Sequence, residues 1–136
     1  MTRAALPLLA LSLLLSACRD RDANLPREYR ALRVPSERLA SPEVRERGRR
    51  LFGEHCALCH GVAADGRGAR REGMSRPPAD LTDPVWRERT SARRAYFTIR
   101  EGVPGTAMPA WRSLSPEETW DLVAYVLPVA PAGRAN

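Results

Sequence analysis

An all-α fold of three to five helices is what three features of the 136-residue sequence predict. Helix-start signals recur: Ser41-Pro42-Glu43, Asp83-Pro84 and Ser115-Pro116-Glu117-Glu118 each place a capping side chain before a proline preset for the first helical position. No stretch alternates apolar and polar residues as a half-buried strand does, and no segment repeats. Between the first two starts runs a stretch, 61–83, broken by Gly61, Gly66, Gly68, Gly73, Pro77 and Pro78. Irregular chain of that length inside a single domain needs something to wrap other than its own core.

The elements follow in order. Residues 1–17 read as an export signal, with Arg3 as the charged start and an apolar run from Ala4 to Leu15 too short to span a bilayer. Leu15-Ser16-Ala17-Cys18 resembles the bacterial lipobox, whose cysteine receives a diacylglyceryl group and becomes the first residue of the mature chain. From Arg19 to Ala40 the sequence is charged, carries Pro26 and Pro35 and keeps no helical or strand period, so residues 18–40 are expected to be a lipidated cysteine and a flexible tether. Such a tether reaches on the order of 25 Å. The folded domain is expected over 41–130, with a disordered tail at 131–136.

Within that domain, Val44, Leu51 and Phe52 with Gly48 share one side of a helix that starts at Ser41 and runs into Cys56. A short helical turn is expected from Asp83-Pro84 and a second helix over Ala92 to Glu101, with Tyr96 and Ile99 inward and Gly102 ending it. The last helix opens with a capping box at Ser115, continues through Leu122, Val123 and Val126, and stops at Pro128.

Net charge is +6, and the chain contains no lysine. Export and the interleaving of Arg45, Arg47, Arg87 and Arg89 with Glu43, Glu46, Glu54 and Glu88 argue for solvated helix faces and against nucleic acid as a partner. Arg67, Arg70, Arg71 and Arg76, countered mainly by Asp65 and Glu72, form either a solvated stretch or a basic face that steers an acidic redox partner.

The chemistry sits in Cys56-Ala57-Leu58-Cys59-His60. Two residues between the thiols place both sulfurs on one side of a helical turn, matched to the two vinyl groups of a haem, with the adjacent histidine facing the iron. A zinc site needs about four ligands, but beyond this motif the chain has only Cys18 and His55, which abuts the pair and reads as a surface histidine. A thioredoxin-like dithiol follows a strand in a βαβ pattern, which is missing here.

With those residues in view, 41–129 resembles a class I cytochrome c. Three segments carry the likeness: Gly48 to Phe52 leading into Cys56-Ala57-Leu58-Cys59-His60-Gly61, then Gly102 to Trp111, then the terminal helix through Leu122 and Tyr125. The resemblance implies helices wrapped around one covalent haem c and a close crossing of the N- and C-terminal helices at Gly48, with Phe52, Leu122 and Tyr125 around it. It implies Met108 as the second axial ligand opposite His60; the competitor is Met74. It implies that a carbonyl in Pro77-Pro78 accepts the other ring proton of His60. Trp86, Tyr96, Phe97, Trp111 and Trp120 read as haem-wall and core residues.

The function so implied is single-electron transfer rather than catalysis, by a monohaem protein lipid-anchored on the periplasmic side of a bacterial membrane. Its partners are redox proteins: an oxidase, a reductase or a dehydrogenase. The alternatives are a haem subunit of a larger oxidoreductase complex, or a haem sensor or peroxidase-like enzyme with a displaceable sixth ligand.

Overall fold

In the computed structural model, which describes residues 20–128, each helix start read from the sequence carries its cap. Ser41 Oγ accepts from the Val44 N–H at 3.3 Å and opens α3 (Pro42–His55); the shorter α1 (Arg27–Arg30) and α2 (Ser36–Ala40) precede it. A single turn, α4 (Ala57–His60), follows, and after the long irregular run Asp83 caps the Val85 N–H at 2.9 Å to start α5 (Pro84–Arg89). The next helix, α6 (Ala92–Glu101), has the expected bounds and a cap at Ser91, whose Oγ accepts from Arg94 N–H at 3.0 Å. At α7 (Pro116–Val126) both halves of the capping box form, Glu118 N–H to Ser115 Oγ at 3.1 Å and Ser115 N–H to Glu118 Oε2 at 2.7 Å. Seven helices and no strand are present among the described residues, so the all-α class holds with two more helices than the expected upper bound.

The core is built where α3 crosses α7. A Cβ added to Gly48 would stand 1.9 Å from the Asp121 carbonyl oxygen and 2.9 Å from Tyr125 Cβ, so only glycine lets the two backbones meet. Phe52 packs on Tyr125 with ring centroids 5.1 Å apart, and Leu122 and Val123 are sealed beneath. Each fully buried aliphatic side chain contributes about 1.5–3 kcal/mol relative to exposure. Tyr96 of α6 meets Trp120 of α7 at 4.4 Å, joining the third long helix to this core.

Asp121 is the exception on the apolar face of α7, a carboxylate only 3% exposed. Arg38 donates to its Oδ1 from Nε at 2.9 Å and Nη2 at 2.6 Å, and Arg47 donates from Nε to Oδ2 at 2.8 Å. An unpaired carboxylate at that depth would cost several kcal/mol, so these two guanidiniums are what make the position tolerable.

The flexible tether expected over 18–40 is corrected by the structure: from residue 20 onward that segment is a strap docked on α6 and α7. Leu25 is buried, and Leu32, Val34 and Leu39 pack partly against the core. The Tyr29 and Phe97 rings pack T-shaped with centroids 4.8 Å apart. Arg94 holds the Arg21 carbonyl from Nε at 2.9 Å and Nη2 at 2.8 Å, Arg93 Nε holds that of Leu32 at 2.8 Å, and Ser91 donates to Asp22. The apolar residues of the strap obey no single period, and the anchors are arginines some 60–80 positions away in sequence. The expected signal at 1–17, the lipid site at Cys18 and the tail at 131–136 lie outside the described residues. No helix among the described residues is long and apolar enough to cross a membrane.

Candidate cofactor site

The end of α3 and the single turn of α4 gather three reactive side chains. Cys56 N–H bonds the Phe52 carbonyl at 2.8 Å, and the Cys56 carbonyl accepts from Cys59 N–H at 3.1 Å and from His60 N–H at 2.9 Å. Cys56, Cys59 and His60 therefore share one helical turn, all half-buried, and both thiols are free. Burial, and next the neighbouring Cys59, push the Cys56 thiol up to about 12. A redox dithiol needs the opposite, a thiol lowered toward neutral pH. Among the described residues no three His, Cys, Asp or Glu side chains cluster as metal ligands, so a four-ligand zinc site does not assemble there.

His60 Nδ1 lies 3.0 Å from the Ala79 carbonyl oxygen. A carbonyl can only accept, so the proton is on Nδ1 and the lone pair of Nε2 is left to bind a metal. Burial first, against the raising effect of that hydrogen bond, holds His60 below the usual histidine range and keeps the ring neutral at pH 7. The acceptor lies one residue past Pro78 and two past Pro77, the two carbonyls expected. Asp80 accepts from Thr82 N–H at 2.8 Å and Leu81 N–H bonds the Ala64 carbonyl at 2.9 Å, and this turn fixes the chain just past the two prolines, at Ala79.

The irregular stretch 61–83 is held to the motif by main-chain bonds. Gly66 N–H reaches the His60 carbonyl at 2.8 Å, Gly68 N–H that of Cys59 at 3.0 Å and Arg70 N–H that of Leu58 at 3.0 Å. A Cβ at Gly68 would stand 2.4 Å from the carbonyl groups of Cys59 and Leu58, a close approach that the sequence reading did not single out. Arg67, Arg70, Arg71 and Arg76 are all exposed, as are the nearby apolar residues Leu58 and Val62.

Met108 sits in a second loop. Its carbonyl accepts from Val103 N–H at 3.2 Å, its N–H donates to Thr106 Oγ1 at 3.2 Å, and Trp111 N–H closes the loop on the Ile99 carbonyl at 3.0 Å. Three residues past Met108, the Trp111 ring packs on His55 at 5.0 Å, which brings this loop beside the residue that precedes Cys56. His55 is thus two-thirds buried rather than the surface histidine expected, because an aromatic partner distant in sequence covers it. Met74, the competing sulfur, is likewise half-buried, in the 61–83 stretch.

This donor set fits a covalently attached haem: two free thiols on one turn, a neutral imidazole locked in a single tautomer, and loops whose closest approaches to the motif are made by glycine. Other haem-wall expectations are mixed in burial, with Tyr96 and Trp120 in the core and Trp86, Phe97 and Trp111 half-exposed around it.

Residues 43–126 match the family model described as cytochrome C oxidase, cbb3-type, subunit III. The chain is 34% identical over 100 residues to the cbb3-type cytochrome c oxidase subunit CcoP of Rubrivivax gelatinosus, a match over 72% of this chain and 30% of that protein. It is 28% identical over 106 residues to the quinohemoprotein alcohol dehydrogenase ADH IIB of Pseudomonas putida, covering 75% of this chain and 14% of the relative. It therefore spans less than a third of the length of these curated relatives. Among solved structures it resembles a chain of the Kuenenia stuttgartiensis reducing HAO-like protein complex at TM-score 0.59 and 25% identity, over 74% of this chain and 47% of that one. It also resembles the KustC0563 c-type cytochrome at TM-score 0.51 and 35% identity, over 62% and 98% respectively.

Proposed function

The chain belongs to the c-type cytochromes of the cbb3 oxidase subunit III family, a haem c electron-transfer protein of class I fold, and from that premise we propose that it is a lipid-anchored monohaem carrier with His60 and Met108 as axial ligands. The observation that carries this reading is the Cys56–His60 turn with its imidazole fixed on the Ala79 carbonyl. Haem, when bound, would supply a one-electron change of oxidation state, and His60 and Met108 together would leave no place on the iron for a substrate.

The residues divide the work. Cys56 and Cys59 would attach the macrocycle, each thiol adding across a haem vinyl group to give a thioether. His60 would give Nε2 to the iron, while the Ala79 carbonyl orients the ring and would make it a stronger donor. Met108 would contribute a soft thioether, which favours the reduced metal and would raise the potential above that of two histidines. The exposed Arg67, Arg70, Arg71 and Arg76 attract an acidic redox partner such as an oxidase, reductase or dehydrogenase, an effect that salt weakens. Lipid on Cys18 keeps the domain at the periplasmic side of a membrane. A fixed haem subunit of a larger oxidoreductase is the second reading, favoured by the relative named as an oxidase subunit.

Purification from membranes, redox titration with optical spectra and intact mass test the proposal together. One haem, a low-spin ferrous spectrum that carbon monoxide does not change and a diacylglyceryl mass increment are expected, with Met108→Ala keeping the covalent haem but losing the methionine signature and the high potential. Carbon monoxide binding to the wild type, or an unchanged Met108→Ala spectrum, refutes the ligation; a chain without lipid refutes the anchor. Co-purification in fixed ratio with other redox subunits favours the second reading.

A further inference from the structure

We propose that Tyr29, in the N-terminal strap, is a positioning residue for Met108 and acts through Glu101 on the neck of the 102–111 loop. The inference rests on Met108 being the second axial ligand, but Tyr29 itself lies outside the residues that match the family, 43–126.

The loop leaves α6 at Gly102 and returns at Trp111. Across its neck Glu101 pairs with Arg112, and Arg100 donates to the Arg112 carbonyl at 3.4 Å and to that of Leu114. The Arg112 side chain is 68% exposed, and an ion pair so open to water contributes little by itself. The Glu101 side chain is only 24% exposed because its other oxygen accepts from the Tyr29 hydroxyl. The Tyr29 ring is held in a T-shaped contact with Phe97, one helical turn before Glu101, so the hydroxyl is delivered with little further loss of side-chain freedom.

Glu101 is coupled to the sulfur-bearing residue through one peptide. Gly102, the next residue, has φ +70, and a Cβ there would lie 2.7 Å from the Met108 carbonyl oxygen and 2.7 Å from the Pro109 carbonyl carbon. The Met108 backbone thus rests directly on Gly102. Tying the Glu101 carboxylate down restrains the last turn of α6, which ends on the glycine that is the floor for Met108, and Tyr29 is the tie that holds that carboxylate from outside the loop.

The test uses the ferric, haem-loaded full chain as wild type, Tyr29→Phe and Met108→Ala, and titrates each with imidazole as a competing ligand. Tyr29→Phe keeps the ring packing and removes only the hydroxyl. It is expected to bind imidazole about five-fold more tightly, the factor that one hydrogen bond commands, with a weaker methionine-to-iron charge-transfer band. Wild-type imidazole affinity in Tyr29→Phe overturns the inference, including where the thermal midpoint falls, since that would mark a structural role alone. Met108→Ala must lose the charge-transfer band; if it keeps it, the ligand reading fails and the inference falls with it. Loss of the band in Met108→Ala beside an unchanged Tyr29→Phe leaves the ligand reading standing and removes only the role of Tyr29.

Discussion

Residues 20–40 and residues 61–83 look alike in sequence: both are irregular, charged and free of helical period. They are held in opposite ways. The first segment is fastened by side chains, with Leu25 buried, Tyr29 against Phe97 and Arg38 on Asp121, to helices that carry no reactive group. The second is fastened by main-chain bonds to the carbonyls of Leu58, Cys59 and His60, inside the motif itself. Side-chain fastening can be weakened one contact at a time, whereas main-chain fastening at glycine contact distance leaves the motif no room to adjust.

The largest effect expected from this difference is at Gly68. In Gly68→Ala the new methyl would stand 2.4 Å from two peptide carbonyl groups, so the turn bearing Cys59 must shift. A loss of about 3 kcal/mol and a clear fall in haem per polypeptide should result. Gly73→Ala in the same stretch is the control: no atom lies within 4 Å, and only its φ of +81 is strained, at about 1 kcal/mol. Denaturant midpoints and haem content of the two variants measure the contrast, and equal losses would mean that close main-chain approach is not what fastens this stretch.

A graded loss is expected on the strap side. Asp121→Asn weakens the hold on Arg38 and Arg47, whose side chains are 32% and 43% exposed and can turn to water. About 2 kcal/mol is a reasonable discount from the cost of breaking a fully buried pair. Equilibrium unfolding followed by circular dichroism should fall by that amount while the haem spectrum of the native protein stays that of the wild type. A spectral change ahead of unfolding would mean that the Arg38 end of the strap, and not Tyr29 alone, is coupled to the haem site.

What could be seen in the sequence was whatever is decided locally. Caps at Ser41, Asp83 and Ser115 bind N–H groups two or three residues ahead, so they could be read directly, and the spacing of Tyr96 and Ile99 before Gly102 defined α6 to the residue. The pairing of the thiols with His60 was legible because the chemistry itself sets the spacing. The strap was not, since Arg38 finds Asp121 across 83 positions and no period announces it. Asp121 was not singled out at all, because its partners Arg38 and Arg47 are 83 and 74 positions away. His55 and Trp111 are similarly remote, and the shift from a proline carbonyl to that of Ala79 is a one-residue register within a turn.

The smallest effect sharpens the comparison through pH. Burial first, then the bond to Glu101, raise Tyr29 from 10.0 to about 12, and Glu101 is held below its ordinary 4.5 by Tyr29 first and Arg112 second. A phenol whose value is raised on folding stabilises the native state in full below pH about 10, and that contribution fades as pH climbs through about 12. A carboxyl whose value is lowered stabilises above about 4.5 and loses its contribution as pH falls through the depressed value. Tyr29→Phe removes the first contribution and part of the second, so its stability should fall less steeply than the wild type's at both extremes and differ most between pH 5 and 9. Tyr96 and Tyr125 are also raised by burial, so the alkaline decline shrinks without vanishing. Denaturant midpoints across that range should run parallel to the wild type for Gly73→Ala and converge on it at the extremes for Tyr29→Phe; parallel curves for both would place the tyrosine hydroxyl outside the fastening of the strap.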